Sequence, residues 1–254
     1  MTGNASGDFD LVVKRLSLKS EVSGLYLGGS RAKGYHDERS DYDLWVIVDD
    51  KSIISSLSEE IKQLNLHPDV GVVFKTISDL KEYIKWGRHD AWVRYSFTDT
   101  KPLLDKKGQL QKLIDKIGTY PRKYQAGLVN GALGAYQNSL YRSIKAHYRE
   151  KKFAALTEAG RSLEHLIAAL FVLHLRFKPY NDYLEKEINK LELIGDLRND
   201  LMERFLEIIT TANPKEQWKL KLDVEKIFRN NGFSEAFDEW TKTFEGFSRK
   251  YPIF

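Results

Sequence analysis

Between Met1 and Gly118 the spacing of apolar residues changes period several times, and each period predicts an element. Phe9, Val12, Val13 and Leu16 stand at i, i+3, i+4 and i+7, which predicts a helix with one apolar stripe. "VSGLYL" (22–27) and "LWVIV" (44–48) are β-branched and aromatic runs bounded by glycine or aspartate, so both predict strands. "DVGVVF" (69–74) predicts a third. Residues 52–64 predict a helix with Ser52 as its cap, and Ser78 and Asp79 open a short helix reaching Lys85. "WVRYSF" (92–97) and "KPLL" (101–104) read as further strands.

From Pro121 onward the helical period takes over. Leu156, Ala159, Leu163, Leu166, Ile167, Leu170 and Phe171 predict one strongly apolar helix. Pro179 interrupts it, and Pro214 separates two later helices. Phe237, Trp240, Phe244 and Phe247 form an aromatic stripe that helix packing explains better than a ligand cage. The fold class is therefore α+β. A mixed-sheet domain over residues 1–118 is followed by a helical bundle over 119–254, with the boundary in "GTYPRKY" (118–124).

Composition narrows the function classes. The 254 residues are 42% hydrophobic and 30% charged, the balance of a globular chain rather than a disordered one. No apolar run approaches the roughly 20 residues that span a bilayer, so no membrane partner is expected. The start, "MTGNASGDFD", lacks the basic and apolar regions of a signal peptide, and cytoplasmic residence is expected. Cysteine is absent, which excludes disulfides, thiolate nucleophiles and cysteine-ligated zinc. The net charge of +4 weakly favours anionic ligands and counts modestly against a cationic acceptor.

The chemistry concentrates in "YLGGSRAKGYHDERSDYDLWVIV", residues 26–48. Gly28 and Gly29 permit a tight turn and a close approach to a ligand, and Ser30 adds a hydroxyl beside it. Asp41 and Asp43 stand at i and i+2 entering a strand, so both carboxylates share one face while Tyr42 and Leu44 take the other. Two carboxylates that close repel unless a cation or a proton lies between them. Magnesium suits that position, because it combines one or two carboxylates with substrate phosphates. Alone, "DYD" reads as a turn cap and a solvated strand end. Joined to "GGS" at this spacing it reads as a metal site.

These residues resemble the signature of the nucleotidyltransferase superfamily related to DNA polymerase β: a Gly-Ser turn, a ten-residue spacer, then Asp-x-Asp opening a strand. "GSRAKG" and "SDYDL" are especially similar to bacterial enzymes of the antibiotic adenylyltransferase type. The resemblance implies transfer of a nucleoside monophosphate, AMP from ATP, onto an acceptor hydroxyl with release of pyrophosphate. Gly29 and Ser30 would hold the triphosphate, and Asp41 and Asp43 would bind Mg2+. It also implies a third carboxylate on a neighbouring strand. Asp69 is the candidate, as base or metal ligand, although aspartate after proline also suits an ordinary turn. Asp90 and Glu82 are the substitutes.

Arg31, Lys33, Ser40 and Lys145 are candidate phosphate partners, each with a solvated or capping role as its alternative; Arg142 follows Lys145. The expected acceptor is a small hydroxylated molecule, such as an aminoglycoside or lincosamide drug, ahead of an RNA or protein hydroxyl. Two rivals come from other classes. One is a catalytically silent ATP sensor. The other is a ribonuclease using Arg142 and His147 of "RSIKAH" (142–147). Nothing in the sequence sets the oligomeric state.

Overall fold

The computed structural model describes residues 4–86 and 93–251. The chain divides into two compact units, Met1–Thr119 and Tyr120–Phe254.

In the first unit the elements run α1 (Ala5–Ser17), β1 (Val22–Leu27), α2 (Gly29–Lys33), β2 (Tyr42–Val48), α3 (Ile54–Lys62) and β3 (Val70–Thr76). They continue with α4 (Ile77–Glu82), α5 (Val93–Ser96), β4 (Pro102–Asp105) and α6 (Leu110–Gly118). The sheet order is β3-β2-β1-β4, with β2 parallel to β3 and β1 antiparallel to both β2 and β4. Helices cover both faces, which is why the central strands are continuous apolar runs rather than alternating ones. Phe9, Val12 and Leu16 of α1 pack with Leu25, Leu44 and Val46 on one face. On the other, Tyr26 and Ile47 meet Leu80, Phe97, Leu110 and Ile114.

Two local readings are corrected. Asp50, not Ser52, caps the turn that leads into α3, its carboxylate accepting from the Ser52 N–H at 2.9 Å. Val93–Ser96 is a helical turn rather than a strand, while Trp92 lies outside the described residues. Its buried Arg94 donates from Nε to the Ile117 carbonyl at 3.1 Å, tying the turn to the end of α6. A short apolar run buried on several sides carries no period, so sequence spacing does not separate strand from helix there.

The second unit contains α7 (Gln125–Tyr148), α8 (Lys152–Leu173), α9 (Leu184–Ile188), α10 (Leu201–Thr211), α11 (Pro214–Asn230) and α12 (Glu235–Lys250). Pro214 occupies the first turn of α11 behind an Asn213 cap, where its missing N–H costs nothing. Phe237, Phe244 and Phe247 are buried in the bundle core and Trp240 packs against it, so the aromatic stripe is packing surface. His174 closes α8: its Nδ1 donates to the Leu170 carbonyl at 2.7 Å, and its Nε2 accepts from the Leu193 N–H at 2.9 Å. Burial holds its pKa below the ordinary value of 6.5. Among the described residues, no helix is long and apolar enough to cross a membrane.

Candidate functional site

The site grows from the end of β1. Gly28 is extended and continues the ladder, its N–H donating to the Asp43 carbonyl at 2.8 Å. Gly29 then turns the chain with φ +62°, a left-handed conformation that disfavours any side chain. It is also tightly faced. A methyl group on Gly29 would collide with Oδ2 of Asp43, and one on Gly28 would sit 3.1 Å from Nε1 of Trp45. The "GGS" bend and the second aspartate are therefore in van der Waals contact, with glycine required on the bend. Ser30 follows in the first turn of α2.

Asp43 is the second residue of β2, and Asp41 precedes the strand. Asp43 is half-buried and Asp41 exposed. Burial first, and the negative charge of Asp41 second, hold the Asp43 carboxyl above its ordinary pKa. Among the described residues, no hydrogen bond or ion pair reaches either side-chain carboxylate. A half-buried acid beside a second acid, with no protein cation to compensate, is a donor set that suits a hard divalent ion. Two carboxylates leave most of such an ion's coordination sphere to phosphate and water oxygens.

The opposite face of the same dipeptide step is packed. The Tyr42 ring stacks on Phe9 at 4.6 Å, and the Arg31 guanidinium lies 3.7 Å over it. Arg31 donates from Nε to the Asp41 carbonyl at 3.0 Å and from Nη2 to the Ser40 carbonyl at 2.7 Å. Arg31, expected as a phosphate partner, here clamps the backbone that leads into the carboxylates. Lys33 is similarly committed, donating to the Thr98 carbonyl and, at 2.8 Å, to its hydroxyl. Ser40 closes a local turn, its hydroxyl accepting from the Asp37 N–H at 2.9 Å and donating to the Asp37 carboxylate at 3.1 Å.

The third acid is not gathered. Among the described residues there is no group of three His, Asp or Glu side chains placed to hold a metal. Asp69 sits in the turn before β3, its carboxylate 3.5 Å from Nδ1 of His67 and its carbonyl accepting from the Tyr42 N–H at 2.7 Å. In the parallel β2–β3 register the residue beside Asp43 is Gly71. A methyl there would still lie 3.8 Å from Asp43 Oδ1, so the strand position next to Asp43 offers room instead of a carboxylate. Glu82 pairs with Lys85 at 2.7 Å, and Asp90 lies outside the described residues.

Lys145 belongs to the second unit, on α7, with its ammonium 5.4 Å from the Tyr141 ring. On the same helix Arg142 pairs with Glu158 at 3.9 Å, and His147 is exposed beside Tyr148. The structure thus brings together Gly28, Gly29, Asp41 and Asp43. It also adds Trp45 and Gly71, which sequence reasoning had not singled out. Trp45 follows Asp43 by two and shares its face, a signal the sequence held; the Gly71 position depends on strand register and left none.

Residues 12–86 match the family model described as Polymerase beta, Nucleotidyltransferase. The match spans both glycines, both aspartates and β1–β3, and it supports the superfamily for this segment and nucleotidyl transfer as a general activity. The crystal structure of a nucleotidyltransferase-like protein from Exiguobacterium sibiricum 255-15 is similar over 96% of this chain and 80% of its own, at 11% identity and a TM-score of 0.46. That resemblance is too distant for either chain's activity to be read from the other. No curated protein matches the chain.

Proposed function

We propose that this chain is a magnesium-dependent nucleotidyltransferase that moves AMP from ATP onto a hydroxyl of a small molecule of the antibiotic type. The single observation that carries the reading is the contact of Asp43 with the bare backbone of Gly29, beside the second acid Asp41 and, among the described residues, with no ion pair to either carboxylate. Asp41 and Asp43 would hold magnesium, and Gly29 and Ser30 would face the triphosphate. The bound ion would neutralise charge on the triphosphate and on the departing pyrophosphate. In the transfer the acceptor oxygen bonds to the α-phosphorus, the bond from that phosphorus to the bridging oxygen breaks, and the acceptor hydroxyl loses its proton. What this chain contributes is position: the Arg31 clamp and the Phe9–Tyr42 stack fix the backbone that presents both acids.

The test is purified protein with ATP labelled at the α-phosphate, magnesium and a panel of hydroxylated acceptors. Label transfer with pyrophosphate release is expected, falling on the order of a thousandfold in Asp43→Asn. Near-normal turnover in that variant overturns the assignment, and ATP binding without turnover across the panel favours a sensor. A polynucleotide hydroxyl is the second reading of the acceptor. It is favoured by the cations at and beside the turn between α7 and α8, Arg149, Lys151 and Lys152.

A further inference from the structure

One end of the helical unit collects cations and exposed rings in a way its packing does not require. Residues 142–153, "RSIKAHYREKKF", carry Arg142, Lys145, Arg149, Lys151 and Lys152 against the single acid Glu150. That excess equals the +4 of the entire chain. Arg149, Lys151 and Lys152 are exposed, and among the described residues none of the three has an ion pair. The ring of Tyr148 lies 5.4 Å from that of Tyr251, which brings Arg249 and Lys250 at the end of α12 to the same place. Phe153, in the first turn of α8, is 86% exposed, the most open large apolar side chain among the described residues, and Tyr148 is 38% exposed.

The turn that carries these groups is fixed. The Glu150 N–H donates to the His147 carbonyl and the Lys151 N–H to the Ala146 carbonyl, both at 2.9 Å, with Glu150 at φ +57°. This pattern of two bonds ends a helix in a defined geometry even without glycine. Ser143 adds a bond from its hydroxyl to the Ala155 carbonyl at 2.8 Å, pinning α7 to α8 just behind the turn. The rings and ammonium groups are therefore presented on a rigid hairpin rather than a loose loop.

We infer that this end of the helical unit binds single-stranded nucleic acid, the cations tracking phosphates and Phe153 and Tyr148 stacking on unpaired bases. Exposed aromatic faces interleaved with lysine and arginine are the chemistry that holds single strands without reading sequence. Duplex DNA hides its base faces and gives Phe153 nothing to stack on. A lipid surface asks for a continuous apolar face, whereas here the exposed rings stand next in sequence to cations, Tyr148 to Arg149 and Phe153 to Lys152. The inference does not require the carboxylate pair to transfer nucleotides.

The experiment is fluorescence anisotropy of a labelled single strand of about twelve nucleotides, offered as RNA and as DNA of the same sequence. Affinity should fall roughly 50-fold between about 50 and 200 mM salt if four phosphates are neutralised. Phe153→Ala removes an exposed side chain and should weaken binding roughly tenfold with the salt slope unchanged. The pair Lys151→Ala and Lys152→Ala should instead flatten that slope by roughly 1.4. Asp43→Asn should bind as the parent does, so loss of transfer and loss of nucleic-acid binding are read separately. Preference for one oligonucleotide names the source; equal affinity assigns the surface to single strands of both kinds. The inference is overturned by absence of binding at low salt, by binding indifferent to both variants, or by Phe153-dependent recruitment to anionic phospholipid vesicles without oligonucleotide binding.

Discussion

Gly29 and Gly34 make a matched pair from which the geometry of the site can be tested. Both hold the left-handed conformation, at φ +62° and +67°, at the two ends of α2. Alanine in that conformation costs about 1–2 kcal/mol, partly offset by about 0.4–1 kcal/mol from a stiffer unfolded chain. Each substitution should therefore cost about 1 kcal/mol and lower Tm by about 3–6 °C for a unit of this size. The surroundings differ. Nothing lies within 4 Å of a methyl on Gly34, whereas one on Gly29 meets the Asp43 carboxylate at Oδ2. Cγ of Asp43 would be 3.5 Å away and Cβ 3.9 Å, ordinary contacts, so relief needs only rotation of the carboxylate. An off-rotamer shift of that kind adds about 0.5–1.5 kcal/mol, a small loss of stability that nonetheless moves a metal-binding oxygen. The assay is a Mn2+ titration followed by electron paramagnetic resonance, beside the transfer assay. Gly34→Ala should match the parent in both, and Gly29→Ala should lose ion affinity and transfer by at least about tenfold. Identical behaviour of the two variants would refute the contact between bend and carboxylate as the basis of the site.

Three further outcomes follow from the same geometry. The Asp43 pKa is raised in the fold, so the stability it contributes is present below the ordinary carboxylate range and is lost as pH rises through the folded value. Asp43→Asn should accordingly raise Tm at neutral pH and leave it nearly unchanged at pH below about 4; thermal melts that show no gain at neutral pH contradict the electrostatic picture. Asp69→Asn should leave transfer within a few-fold of the parent, since its carboxylate faces His67; a loss of several orders of magnitude would restore it as the third acid. His174 has a depressed pKa, so its contribution is full above 6.5 and declines as pH falls through the folded value. Protonation there would set an N–H against the Leu193 N–H. His174→Leu should lose about 1–2 kcal/mol at neutral pH and show a shallower acid decline than the parent in urea melts. Parallel pH profiles would remove His174 from that role.

Much of the architecture was legible along the chain. The stripe of Phe9, Val12 and Leu16, the runs at 22–27, 44–48 and 69–74, and the long helical period after Pro121 all appear where their spacing placed them. These signals are local: a helix or a strand repeats within a few residues, so covalent order alone carries the pattern. The placing of Asp41 and Asp43 next to each other is of the same kind, since they stand two residues apart at the mouth of β2.

What the tertiary structure decided depends on partners far apart in sequence. Side-chain chemistry made Arg31 a candidate for phosphate, but packing gave it the Tyr42 ring and the carbonyls of Ser40 and Asp41. Pairing of β2 with β3 set Gly71 beside Asp43 and left Asp69 in the preceding turn, a matter of register that residue types do not show. Val93–Ser96 became helix because its burial against α6 imposed no alternation that its sequence could display. The requirement for glycine at position 29 is double: its turn was evident in the sequence, but its contact with Asp43 exists only once β1 and β2 are paired. Period is written into neighbouring residues, whereas register and contact are set by the free energy of the whole packed unit.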